Sequence, residues 1–244
     1  MILDCENVEK TYESLERILG ICRKTLCEKL NNYTIKPETI QTGKTQDELL
    51  FSQIIDQLAA VTQTDSGATV FFHMSRVLDP DSFKNGLIPL SKIITKLESD
   101  IKNFVNSLNI EKLPDKVCNR NSYNSVYHRM SARYLDGPCA ILIKEMCTCK
   151  ENKHFLDVPE TIYDIFSVYE QKYQKNIIDE YRKATLPCIV KFKNIGIKEK
   201  SIKTALYYLY CKEHHLPLDE RTDYGFDGCG QSVSKEQILI IELV

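Results

Sequence analysis

Apolar side chains recur near the start of the chain at alternating spacings of four and three: Val8, Tyr12, Leu15, Leu19, Cys22, Leu26 and Leu30. That period sets them on one stripe and predicts a single amphipathic helix over residues 5–30, ended by Asn31-Asn32 and Pro37. A second helix is predicted from Thr45 to Val61. Asp47 and Glu48 lie at its start, and Leu49, Leu50, Ile54, Ile55 and Leu58 form one face. Together they make a helical N-terminal unit, residues 1–66, whose apolar stripes cap a core or dock a partner.

The period then changes. Thr69-Val70-Phe71-Phe72 is β-branched or aromatic without a break, as in a strand covered on both faces, and His73 falls at its end. Asp79-Pro80-Asp81-Ser82-Phe83-Lys84 has proline and acidic residues where a helix start favours them, and Gly86 is placed to end that turn in a left-handed conformation. Helical spacing returns in Leu90, Ile93, Ile94, Leu97, Ile101, Phe104 and Leu108, and residues 109–125 lose it, which predicts a loop. Tyr127 to Tyr134 reads as a helical turn, and Gly137-Pro138 leads into a second buried strand, Cys139 to Ile143. Pro159 opens a helix from Glu160 to Tyr173, Leu186 to Phe192 is a third strand, and Lys200 to His214 is helical. A polar Gly-rich loop, Asp223 to Gly230, precedes a last strand, Ile238 to Val244. Strands that come singly between helices, with irregular connections, predict an α+β domain over residues 67–244 rather than a doubly wound sheet.

Composition narrows the chemistry. A net charge of −2 over 244 residues carries no whole-molecule footprint for nucleic acid. No apolar run approaches a membrane span and the N-terminus is acidic, so a cytoplasmic protein without membrane contact is expected. Ten cysteines spread through apparent helices and strands fit reduced residues better than a disulfide framework; Cys22, Cys27, Cys139, Cys188 and Cys211 read as small core hydrophobes. Cys147-Thr148-Cys149 with His154 lacks a paired knuckle and would need a fourth ligand such as Cys118, so no metal is expected. His214-His215 reads as a helix terminus. No Walker loop, Gly-x-Gly-x-x-Gly motif or recognisable setting for a Cys-His nucleophile pair is present.

The grouping His73-Met74-Ser75-Arg76 after an apolar strand, followed by Asn85-Gly86-Leu87-Ile88-Pro89, resembles the first motif of ADP-ribosyltransferases whose core carries a histidine. The resemblance covers residues near 68–90, 130–143 and 228–244. It implies a split β-sheet core with peripheral helices, with NAD as the cofactor or co-substrate. His73 would hold a ribose hydroxyl of NAD, main-chain groups around Met74 would clamp the nicotinamide amide, and Ser75 and Arg76 would support them, the latter as an anion partner. The alternative for His73 is a strand-end histidine hydrogen-bonded to the main chain. A second element, from Ser131, Arg133 or Tyr134, would lie beside the nicotinamide. Arg129 and Arg133, four apart, would share a helix face as a diphosphate grip or form a solvated basic turn.

The family's third element is a glutamate before the last strand. Here Gly230 or Gln231 occupies the matching place and Glu236 is the nearest acid, so Gln231 or Glu236 would take the catalytic role; Asp223 and Asp227 are alternatives in the same loop. Glutamine can make the hydrogen bond without supplying the charge that an oxocarbenium-like centre favours. The resemblance thus implies transfer of ADP-ribose to a protein or nucleic-acid acceptor, in the manner of toxins and defence effectors. A non-catalytic interaction protein working through its N-terminal helices, or an RNA-directed phosphotransferase using Arg120, Arg129, Arg133 and Lys144, are the alternatives.

Overall fold

The computed structural model describes residues 1–33, 46–58, 67–78, 80–108 and 124–244. The predicted loop at 109–125 and the residues Pro37, Asp79, Cys118 and Arg120 fall wholly or mostly outside them. The chain is α+β. Among the described residues six strands form one sheet in the order β5-β3-β2-β4-β6, with β1 beside β2: β1 (Ile2–Leu3), β2 (Ala68–Val77), β3 (Cys139–Ile141), β4 (Leu186–Ile195), β5 (Gly225–Asp227) and β6 (Ile238–Leu243). β1 pairs with β2 in parallel, Ile2 with Ala68 and Leu3 with Thr69, whereas β2 and β3 pair antiparallel at Phe72 and Ile141. The chain divides into two compact units. One comprises 1–72, 141–149 and 192–226; the other comprises 73–140, 150–191 and 227–244.

In the first unit the predicted helix over residues 5–30 is two helices, α1 (Val8–Leu19) and α2 (Arg23–Asn32). Gly20 breaks it: at φ 67° its N–H bonds the Glu16 carbonyl, the left-handed stop that glycine adopts without a Cβ penalty. The apolar period runs on across the break, because Leu19, Ile21 and Leu26 are buried on both sides of it. Both helices and α3 (Gln46–Leu58) pack against α9 (Glu199–Glu213), so the N-terminal helices share their unit with residues far along the chain. Every residue of α9 from Thr204 to Cys211 is buried, as in a helix packed all round. Its tyrosines remain compatible with burial because their hydroxyls reach acids: Tyr208 donates to Glu145 at 3.2 Å and Tyr207 to Asp219 at 3.1 Å, while Tyr12 of α1 donates to Glu213 at 2.7 Å.

In the second unit α4 (Leu90–Ser107), α5 (Asn124–Ser131), α7 (Glu160–Tyr173) and α8 (Ile177–Ala184) bury Ile101, Val105, Val126, Ile165, Phe166 and Ile177 together. Phe104, Phe166 and Tyr181 meet pairwise at centroid separations of 5.3–5.8 Å. The helix predicted from Pro159 is present to its last residue. Two others, α6 (His154–Asp157) and α8, are additions that the apolar pattern does not announce. α8 carries a local signal: Asn176 caps it by accepting from the Asp179 N–H at 3.0 Å, with Asp179 and Glu180 in the first turn.

The strand expected to end at His73 runs on to Val77, and the expected helix start is a single 3-10 turn, Pro80–Phe83. Gly86 is left-handed as expected, at φ 86°, and has a second reason to be glycine. A Cβ there would lie 2.0 Å from the Val233 carbonyl oxygen. Leu87 and Val233 exchange both main-chain hydrogen bonds at 2.9 Å, tying the Gly86 turn to the segment before β6.

Candidate functional site

His73, Met74, Ser75, Arg76, Arg133, Tyr134, Gln231 and Glu236 lie in the second unit, as do the alternatives Ser131 and Asp227, whereas Asp223 lies in the first. His73 is half-buried on β2, and its Nδ1 lies 2.7 Å from the main-chain oxygen of Cys139. A carbonyl only accepts, so Nδ1 carries the proton and Nε2 keeps its lone pair. Burial pushes the imidazole pKa below its ordinary 6.5, and the Cys139 carbonyl opposes this more weakly. Near neutral pH the ring is therefore uncharged, with an acceptor at Nε2 and its donor already used. The bond to the main chain is the one that the simpler alternative for His73 anticipates. It also fixes the tautomer that a hydroxyl ligand requires.

Alternation along β2 sorts the motif. His73 and Ser75 share one face, and Met74 and Arg76 the other. Arg76 is committed elsewhere: Nε donates to Thr185 Oγ1 at 2.8 Å, Nη1 to the Leu156 carbonyl at 2.9 Å, and Nη2 to the carbonyls of Arg182 and Thr185 at 2.7 Å. These acceptors end α8 and lie in α6, where main-chain carbonyls lack helical partners, and a guanidinium satisfies them while favouring the negative end of the helix dipole. Arg76 is thus a cation used to hold helices to β2, not an anion ligand beside His73.

β3 and β5 run antiparallel, since Leu142 N–H bonds the Tyr224 carbonyl and Gly228 N–H bonds the Pro138 carbonyl at 3.0 Å. In that register Cys139 lies opposite Asp227, and beyond Asp227 the chain turns, with Gly230 N–H bonding the Gly137 carbonyl. Cys139, read from the sequence as core, is exposed, as is Cys22 at the start of α2. Partial desolvation pushes the Cys139 thiol up to about 11, and the carboxylates of Asp227 and Glu160 add to the shift. Asp227 and Glu160 are thus acids close enough to act on the strand that anchors His73. The sequence offers Asp227 only as an alternative and Glu160 only as a helix start.

Arg133 joins this neighbourhood, its Nε donating to the Cys229 carbonyl at 3.1 Å. It does not share a helix face with Arg129, because α5 ends at Ser131. Arg129 instead pairs with Glu160 at 3.1 Å and with Asp164. Tyr134 is 63% exposed. Gln231 is exposed in the turn after Gly230, and its N–H bonds the Gly228 carbonyl at 2.8 Å. Glu236 sits apart in a one-turn 3-10 helix, Lys235–Gln237, where its own N–H and the Ser234 hydroxyl hold its carboxylate below the usual range. His73, Cys139, Asp227 and Arg133 are therefore linked through β3 and the 228–231 loop. Arg76 and Glu236 are not.

The loop is no phosphate cradle. The N–H groups of Gly228, Cys229, Gly230 and Gln231 are all bonded internally, to Pro138 O, Asp227 Oδ1, Gly137 O and Gly228 O. Among the described residues no group of three His, Cys, Asp or Glu side chains is arranged to hold a metal ion, and no helix is long and apolar enough to cross a membrane. Comparison of the chain with protein-family models, with curated proteins and with solved structures gives no match.

Proposed function

We propose that the second unit binds NAD and transfers its ADP-ribose moiety to a protein or nucleic-acid acceptor, on a core of the split-sheet ADP-ribosyltransferase type. The observation that carries this reading is the His73 imidazole, neutral and held in one tautomer by the Cys139 carbonyl, with Nε2 left as an acceptor. A ribose hydroxyl donates to such a nitrogen. Ser75, on the same face of β2, supplies a second hydroxyl, the main chain at Met74 holds the nicotinamide amide, and Tyr134 stacks on the ring. Arg133 faces the diphosphate with the guanidinium nitrogens not used on Cys229. The spent amides of the 228–231 loop leave that charge to side chains.

In the transfer, the bond between the ribose anomeric carbon and nicotinamide breaks, nicotinamide leaves with the electron pair, and an acceptor nucleophile bonds the same carbon and loses its proton. Gln231 supplies a hydrogen bond to the ribose, and Asp227, opposite Cys139 on the neighbouring strand, supplies the negative charge that Gln231 lacks. Glu236, held in its own turn, is the alternative source of that charge.

The placement of Glu236 and the spent amides favour a second reading, NAD binding without turnover on an interaction scaffold. Nicotinamide release separates the two. Incubation of the full chain with NAD, followed by chromatography of the supernatant, is expected to show free nicotinamide above the rate of the buffer control, and none for Asp227→Asn. Binding without release would establish the second reading.

A further inference from the structure

Residues 136–139 give four consecutive main-chain carbonyls to four different partners. Asp136 O accepts from the Leu90 N–H at 3.0 Å, Gly137 O from the Gly230 N–H at 3.2 Å, Pro138 O from the Gly228 N–H at 3.0 Å, and Cys139 O from His73 Nδ1 at 2.7 Å. This short segment therefore joins the start of α4, the 228–231 loop and the imidazole on β2. Its first residue adds a side chain to the junction. Asp136 is buried, and Ser91 engages both of its carboxylate oxygens: the Ser91 N–H donates to Oδ1 at 2.7 Å and the Ser91 hydroxyl to Oδ2 at 2.5 Å. Ser91 is the second residue of α4, where N–H groups lack helical partners, so both bonds hold the carboxylate in one orientation. Gly230 stands against it. A Cβ on Gly230 would lie 3.2 Å from Asp136 Oδ2 and 3.9 Å from Arg133 Cγ, and Arg133 Nε donates to the neighbouring Cys229 carbonyl at 3.1 Å. The loop main chain is thus packed on a carboxylate that cannot give way.

We propose that Asp136 is a positioning residue of the candidate site, the fixed seat on which Gly230 rests so that Gln231 and the Arg133 guanidinium keep one place relative to His73. The inference deepens the nucleotide reading and rests on it for the ligand. Asp136 acts through shape and hydrogen bonding, by accepting from Ser91 and filling the space beside Gly230. Asparagine does both: its Oδ1 accepts from the Ser91 N–H and its NH2 group donates to the Ser91 hydroxyl. Alanine does neither. A carboxylate that bound the ribose or took a proton would instead need its charge, and asparagine would not replace it.

The test is hydrogen–deuterium exchange of the full chain, read by mass spectrometry of its peptides, with NAD titrated into the same preparations by calorimetry. Asp136→Ala is expected to speed exchange of the 228–231 amides roughly tenfold while the α7 amides keep the parent's rate, and to weaken NAD binding roughly tenfold. Asp136→Asn is expected to stay within about twofold of the parent in both. Gly230→Ala presses on the same seat from the loop side with Ser91 left in place, and is also expected to speed loop exchange. In the double variant with Asp136→Ala the added methyl has room, so the gain in exchange is expected to fall short of the product of the two single gains. Unchanged loop exchange in Asp136→Ala with α7 intact, single gains that simply multiply, or an Asp136→Asn as impaired as Asp136→Ala would overturn the proposal. A parent that binds no NAD would overturn the nucleotide reading instead, and the exchange rates alone would then decide the role of Asp136.

Discussion

The two units treat their polar groups differently. Around α9 the buried tyrosines give their hydroxyls to carboxylate side chains, Tyr12 to Glu213, Tyr207 to Asp219 and Tyr208 to Glu145. In the second unit the bonds that matter run from side chain to main chain. Arg76 reaches carbonyls of α6 and α8, His73 the Cys139 carbonyl, Arg133 the Cys229 carbonyl, and Asp136 the Ser91 N–H at 2.7 Å. Pairing between side chains closes a helical core. Pairing with main chain holds irregular segments, strand ends and tight turns in one place, and those segments carry the candidate site.

The largest expected effect comes from the closest main-chain approach. Gly86→Ala adds a carbon 2.0 Å from the Val233 oxygen at a left-handed position, and is expected to cost more than about 3 kcal/mol in denaturant unfolding. A loss below ~1 kcal/mol would mean that the Leu87 and Val233 pairing is looser than described. Next comes Arg76→Ala, which leaves helix-terminal carbonyls without partners and is expected to cost about 2–3 kcal/mol, with Arg76→Lys recovering less than half. If Arg76 served an anionic ligand instead, stability would hold and only ligand affinity would fall. Asp136 caps α4 from a distance, because Pro89 at the helix start offers no capping side chain, and Asp136→Ala should cost roughly 1–2 kcal/mol.

On the other side of the comparison, Tyr12→Phe should cost only about 1 kcal/mol. Its signature is in the pH dependence. The Tyr12 hydroxyl, with Asn31 and Cys27, holds the Glu213 carboxyl below its ordinary value of 4.5. A depressed acid contributes stability that is complete above the unfolded pKa and is lost as pH falls through the folded one. Tyr12→Phe should therefore flatten the stability profile below about pH 4.5, and an unchanged acid limb would break the pairing assigned to Glu213.

How much of this is legible in the chain follows the same division. Apolar period and stop signals suffice for α7 behind Pro159, for the strands starting at Cys139 and Leu186, and for the turn at Gly86. They fail at Gly20, where the stripe continues across a left-handed stop, and at β1 and β5, too short for any period to register. In the site, the run His73 to Arg76 marks the right strand, but the separation of His73 from Arg76 follows only once the strand extends through both. The commitment of Arg76 depends on acceptors near residues 156 and 182–185, a distance no local pattern spans. Cys139 reads as core because its neighbours are apolar, whereas its place at the start of β3 exposes it.

A small expected effect on stability accompanies the largest on function. His73→Ala removes a half-buried ring with one main-chain bond and should cost less than about 1.5 kcal/mol. Calorimetric titration of NAD into the full chain and into folded His73→Ala tests the central claim most directly. Binding to the parent is expected, with an affinity that is constant near neutral pH and weakens only as pH falls through the His73 pKa, which burial holds below 6.5, and with at least a tenfold loss in the variant, the worth of about 1.4 kcal/mol. Equal affinity in parent and variant, or no binding to the parent at millimolar NAD, would contradict it.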